Sequence, residues 1–189
     1  MDVDLTRPET LSGPIERLRN DNVLVQVETR ADRDALRRAV AADVIDVLAT
    51  DHAPHTLEEK ARDYFHAPSG LPLVQHFLPM MLELVRGGHM RLEQVVDKAA
   101  HSPARLFGIV DRGFVREGYY ADLAIVDLRA AQRVTAAEVL YKCGWSPLEG
   151  ETLHSAVMMT VLSGEVVFRD GSVAAGARGR ALQFEGASE

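Results

Sequence analysis

Cysteine, basic charge and long apolar runs are what this chain of 189 residues has least of. Its one cysteine, Cys143, has no partner for an intramolecular disulfide and cannot build a thiolate zinc cluster. A reducing compartment is therefore expected, with the cytoplasm as the default. Lys and Arg number 21 against 28 Asp and Glu, a formal net charge of −7. Nucleic acid and anionic membranes both call for a basic face, so neither is expected as the main partner. No apolar stretch approaches the roughly 20 residues of a membrane helix, and no basic segment leads into an apolar one at the start, so no signal peptide is expected. Repeats at solenoid periods are also lacking.

What is present suits a globular protein with its own core: 47% of residues are hydrophobic and 26% charged. Met1 to Asn22 is polar, with a short helix conceivable over Pro14 to Arg19. Val23 to Val27 is rich in β-branched residues and reads as a strand. Thr29 and Asp32 have capping-box spacing, and Ala35, Leu36, Ala39 and Val40 share a helical face, which predicts a helix over about Arg30 to Ala42. Val44 to Thr50 is mostly apolar rather than alternating, as in a parallel strand buried on both faces.

That strand runs into Asp51-His52-Ala53-Pro54-His55, the densest grouping of acid and imidazole in the chain. Functional groups of parallel α/β folds gather at the C-terminal ends of strands. Beyond it, Thr56 to Phe65 predicts a charged loop or short helix, with Glu58, Glu59 and Lys60 on a solvated face. Ala67-Pro68-Ser69-Gly70-Leu71-Pro72 predicts a turn-rich connection, in which a glycine would let the backbone approach a ligand. Val74, Phe77, Leu78, Met81, Leu82 and Val85 fall on one face of a helix that Gly87-Gly88 ends. Leu92, Val95, Val96 and Ala99 predict the next helix, and Ser102-Pro103 the N-cap and N1 of a third.

Near residue 110 the character changes. Residues 1–110 read as α/β and 111–189 as mostly β, with a strand over Ala121 to Asp127 and a hairpin from Val157 to Phe168 turning at Ser163-Gly164. No amphipathic helix is expected until about Ala136.

An aspartate at a strand end beside two histidines has three readings. It can ligate a divalent metal such as zinc, although three or four ligands are usual. It can carry protons in acid/base catalysis. It can also simply cap the following turn, with His52 and His55 as satisfied structural groups. Elsewhere, His66, His76, His89, His101 and His154 lack ligand spacing, Cys143 lacks a neighbouring base, and Trp145 reads as packing.

Ala49-Thr50-Asp51-His52-Ala53-Pro54-His55-Thr56 with Glu59-Lys60 closely resembles the dihydroorotases, cyclic amidohydrolases of pyrimidine synthesis. Further blocks follow in the family's order: Ala67 to His76, His101 to Gly108, Arg112 to Leu123, and Tyr141 to Pro147. The resemblance implies an α/β fold, the C-terminal part of a (β/α)₈ barrel of a metal-dependent hydrolase, followed by a small β-rich segment. It implies interconversion of N-carbamoyl-aspartate and dihydroorotate. It makes Asp51 the catalytic aspartate and a metal ligand, His55 the group that binds the substrate carboxylate, and Ser69 and Gly70 the backbone that touches the pyrimidine ring. Zinc is the implied metal.

The family's His-x-His pair, bridging lysine and other metal-binding histidines belong before the matched part, and no His-x-His occurs in these residues. Leu24-Val25 stands where the family has a substrate-contacting Asn-Pro pair. A full barrel takes about 250 residues, more than this chain has. Two further expectations follow: a relative that acts only as a binding or assembly partner, or a cyclic amidohydrolase of the hydantoinase, dihydropyrimidinase or allantoinase type. A homo-oligomer or a complementing chain is expected to cover the apolar faces.

Overall fold

A computed structural model of the chain describes residues 29–186. The expected strand from Val23 to Val27, the short helix near Pro14 and the departure at Leu24-Val25 lie outside the described residues. Helix α1 (Arg30–Ala41) begins as its capping box predicts. The Thr29 amide donates to the Asp32 carboxylate at 2.8 Å, and the Asp32 amide donates back to Thr29 Oγ1 at 3.2 Å. Two of the donors left over at the helix start are thereby satisfied. Ala35, Ala39 and Val40 form its buried face.

Residues 44–50 are extended but not paired into a sheet, and most of them are only half-buried. A strand is completed by a neighbour's N–H and C=O groups, and among the described residues no strand lies beside this one. Lys98 stands in for that neighbour. Its backbone oxygen accepts from the Leu48 amide at 3.1 Å, and its ammonium donates to the Ile45 carbonyl at 2.6 Å. The same ammonium meets the Asp43 carboxylate at 3.0 Å, which holds that carboxyl below its usual range. Lys98 is only 2% exposed, so its charge is tolerated there because of these partners. Lys98→Met is expected to lower unfolding free energy by about 1–3 kcal/mol, because the Ile45 carbonyl loses its donor; urea denaturation reads this directly.

The core of this half gathers Val40, Met90 and Val95 with Ile45, Leu48, Leu78, Met81, Leu84 and Val85 around them. Helix α2 (Leu57–Lys60) is a single turn capped by Thr56. A 3₁₀ turn (Val74–His76) leads into α3 (Phe77–Arg86), which ends at Gly87 as expected. Helix α4 (Leu92–Val96) continues through a π turn (Asp97–His101) into α5 (Ser102–Leu106). Ser102 is therefore not a helix start. It has helical angles, and its amide donates five residues back to the Asp97 carbonyl. Pro103 has no N–H, and its ring would crowd the carbonyl four residues earlier; the wider π turn makes room and leaves the helix unbroken.

All strands among the described residues follow residue 122: β1 (Leu123–Asp127), β2 (Gln132–Arg133), β3 (Thr152–Leu153), β4 (Ala156–Leu162), β5 (Glu165–Arg169) and β6 (Ser172–Val173). The antiparallel order is β1-β4-β5-β6, with β2 and β3 as a separate pair. The β4–β5 turn is the predicted one, with Ser163 and Gly164 both at positive φ, the geometry that follows the twist of the strands. The helix expected near Ala136 is a single 3₁₀ turn (Ala136–Glu138). Buried Arg112 joins the segments by pairing with Asp122, whose other oxygen accepts from the Ser163 amide at 2.7 Å. No helix among the described residues is long and apolar enough to cross a membrane.

Candidate active site

Asp51 ends the extended segment that Lys98 holds. It is exposed and sits at φ 46°, a left-handed conformation uncommon for a residue other than glycine, though aspartate tolerates it best. Such outliers persist where surrounding structure over-determines them. Here the two residues that follow it, His52 and Ala53, are bonded to the loop that carries Ser69 and Gly70.

That loop is sewn to the aspartate segment at several points. Ala53 N donates to Leu71 O at 3.0 Å, and His52 pairs with Leu71 in a parallel bridge. His52 Nδ1 accepts from the amides of Leu73 at 3.0 Å and Val74 at 3.3 Å. An imidazole nitrogen that accepts two amides carries no proton, so the His52 ring proton lies on Nε2. Gly70, at φ 86°, presses its Cα onto Ala53: a Cβ there would lie 2.5 Å from the Ala53 Cβ. Lys60 Nζ donates to Pro68 O at 2.7 Å and Gly70 O at 3.1 Å. Asp51 and the Ser69-Gly70 turn, 18 residues apart in sequence, are thus held on adjoining segments.

His55 begins the next turn. Its ring nitrogen is 3.8 Å from Glu59, and its carbonyl accepts from Trp145 Nε1 at 2.8 Å. Thr56 and Glu59 form a capping box over α2, and the Thr56 amide holds the Glu59 carboxyl below its usual range. The expected solvated face over Glu58 to Lys60 therefore holds for exposed Glu58 alone. Glu59 is engaged by the cap and Lys60 by the loop.

A second layer joins the Tyr141 block to the Gln75-His76 block. The Tyr141 hydroxyl accepts from the Gln75 amide at 3.0 Å and lies 3.3 Å from His76 Nδ1, while its ring packs 5.0 Å from that of His52. The Gln75 side chain donates to Glu138 O and accepts from the Leu140 amide, both at 2.8 Å. Burial raises the Tyr141 hydroxyl pKa and lowers that of His76.

A histidine with a depressed folded pKa stabilises the fold above its unfolded value of 6.5. That contribution is lost as pH falls through the folded value, because the unfolded chain binds the proton first. Thermal melts from about pH 7.5 down to about pH 5 are expected to show a falling Tm, and His76→Gln a shallower fall.

Other candidates resolve as structural. His66 pairs with Asp63 at 2.7 Å, His154 lies 3.3 Å from Glu83, and His101 stacks on Phe114 with ring centres 4.4 Å apart. A groove of about 400 Å³ between α3 and the sheet is lined by His76, Pro79, Leu140, Val157 and Phe168 among others, and touches none of Asp51, His55, Ser69 and Gly70. Among the described residues no three His, Cys, Asp or Glu side chains converge to hold a metal ion. Asp51 offers one carboxylate, and a divalent ion usually takes three or four protein ligands.

Sequence reasoning gave Gln75 and Tyr141 no role and read Lys60 as part of a solvated face, while the reading of His52 as a satisfied structural group fits its two amide bonds. The order of the blocks was the only signal that brings these residues together.

The sequence model of the amidohydrolase family matches residues 10–167. A protein named dihydroorotase from Methanothermobacter thermautotrophicus is 37% identical over 143 residues, covering 76% of this chain and 33% of its own length. Another so named, from Pyrococcus furiosus, is 33% identical over 182 residues, covering 96% of this chain and 41% of its own. The chain thus spans about a third to two-fifths of these relatives. Among solved structures, the L-hydantoinase (dihydropyrimidinase) from Arthrobacter aurescens superposes with a TM-score of 0.75 at 31% identity, over 80% of this chain and 35% of that one. The fold is accordingly α/β and corresponds to part of the hydantoinase barrel architecture. With the family model spanning most of its residues, this chain belongs to the amidohydrolase family.

Proposed function

We propose that the chain contributes to a dihydroorotase-like site that interconverts dihydroorotate and N-carbamoyl-aspartate by opening and closing the ring amide of dihydroorotate. One observation carries the reading: the segment Asp51 to Ala53 and the loop Pro68 to Val74, which both match dihydroorotases, are hydrogen-bonded to each other. In this reading water adds to the ring amide carbonyl, the C–N bond breaks, and the ring nitrogen takes up a proton. Asp51 takes the proton from the attacking water and returns it to the departing nitrogen. His55 binds the substrate carboxylate, and the backbone of Ser69 and Gly70 bears on the ring.

Amidohydrolases are generally metal-dependent, and zinc suits Asp and His donors. Asp51 by itself does not form a metal centre, so no step above runs through an ion. Residues 1–110 are read as barrel and 111–189 as the β-rich segment. A second copy or a complementing chain is read as the partner that completes the site, in the cytoplasm, with no nucleic acid and no membrane.

A second reading is a hydantoinase-type cyclic amidohydrolase, favoured by the superposition on L-hydantoinase. Assay of N-carbamoyl-aspartate cyclisation beside hydrolysis of hydantoin and dihydropyrimidine separates the two. Turnover confined to the carboxylate-bearing substrate supports the first. Turnover of hydantoin alone would replace it with the second, and no turnover at all would leave a binding or assembly partner.

A further inference from the structure

We propose that Lys60 is a positioning residue that sets the Ser69-Gly70 backbone beside Asp51; the proposal rests on the dihydroorotase-like reading above and deepens it. Its ammonium donates to the Pro68 and Gly70 carbonyls, which lie one on either side of Ser69. Both acceptors are backbone oxygens, and the contacts are partly buried, where a charge-assisted hydrogen bond is stronger than in water.

The peptide plane gives this contact a direction. In a trans peptide the carbonyl and the following N–H point to opposite sides. Drawing the Pro68 carbonyl toward Lys60 therefore turns the Ser69 N–H away from it. The positive charge also polarises that peptide and makes the N–H a better donor. An outward N–H beside a carboxylate is the complement of a cyclic ureide, whose ring carbonyl accepts and whose ring N–H donates.

Lys60 is placed for this by its own helix. Thr56 and Glu59 close the capping box and leave Lys60 as the last residue of α2, so its stem extends toward the loop rather than along a longer helix. At the same loop, the Gly70 contact with Ala53 and the Ala53 amide bond to Leu71 fix the distance to the Asp51 segment. Lys60 draws the Pro68 and Gly70 carbonyls toward it, and Ala53 limits how far Gly70 can move.

The experiment compares the unaltered chain with Lys60→Met, which keeps the stem and removes the donors, and Lys60→Arg, which restores them. Amide hydrogen exchange at Ala53 reads loop docking, and steady-state kinetics on N-carbamoyl-aspartate read its consequence. In Lys60→Met the Ala53 amide is expected to exchange about tenfold faster, with KM raised about tenfold and kcat within about threefold. Lys60→Arg is expected to bring both back to within about threefold of the unaltered chain. Unchanged exchange would overturn the proposal, and so would faster exchange with an unchanged KM, since Lys60 would then be structural only. Absence of turnover in the unaltered chain counts against the dihydroorotase-like reading, while the exchange arm still decides whether Lys60 sets the loop.

Discussion

Asp51→Asn is expected to lower turnover of N-carbamoyl-aspartate by about 10²- to 10⁴-fold, the range that a positioned proton carrier contributes. The substitution is chosen for its backbone. Asp51 stands at φ 46°, and asparagine shares with aspartate the tolerance for that conformation, so the fold is expected to persist. The amide keeps the shape and loses the capacity to take up a proton. Rate and melting temperature, measured together, distinguish the roles. A large loss of rate with Tm unchanged assigns Asp51 to chemistry, whereas a matching loss of stability with rate per folded molecule preserved would make it a turn cap.

Gly70→Ala is expected to destabilise the chain by about 2–4 kcal/mol, the sum of two separable costs. At φ 86° any side chain is strained, and the new Cβ would stand 2.5 Å from the Ala53 Cβ, closer than non-bonded carbons approach. Ala53 is a short side chain next to backbone and cannot swing away, so the loop itself must shift. The double variant Gly70→Ala with Ala53→Gly removes the collision and keeps the strained φ. It is expected to recover about half of the loss in urea denaturation, and the remainder measures the backbone cost. If the single variant melts like the unaltered chain, the docking of this loop on Ala53 is wrong.

Local rules were legible where the chain supplies both halves of an interaction. Thr29 with Asp32 starts a helix because cap and partner lie three residues apart; Thr56 with Glu59 has the same spacing, which the reading of Glu59 as part of a solvated face passed over. Ser163-Gly164 makes its turn because the residue needed at positive φ is present. The same local reasoning failed at Ser102-Pro103, where a cap pattern lies inside a helix that widens into a π turn. It failed again over residues 44–50, because apolar β-branched composition gives an extended backbone but not the neighbour that would make it a strand.

For the candidate site, the sequence by itself determined the residue types, their order and the turn chemistry: an aspartate at 51, a histidine at 55, and a glycine-bearing loop at 69 and 70. Periodicity and capping act over three or four residues, so they fix elements without fixing distances between them. Only the tertiary structure decided that Lys60 grips the loop, that His52 is a hydrogen-bond acceptor, and that Tyr141 and Trp145 close in from beyond residue 140. Those contacts join positions 8 to 90 residues apart. They depend on how the helices pack, which no short-range pattern encodes.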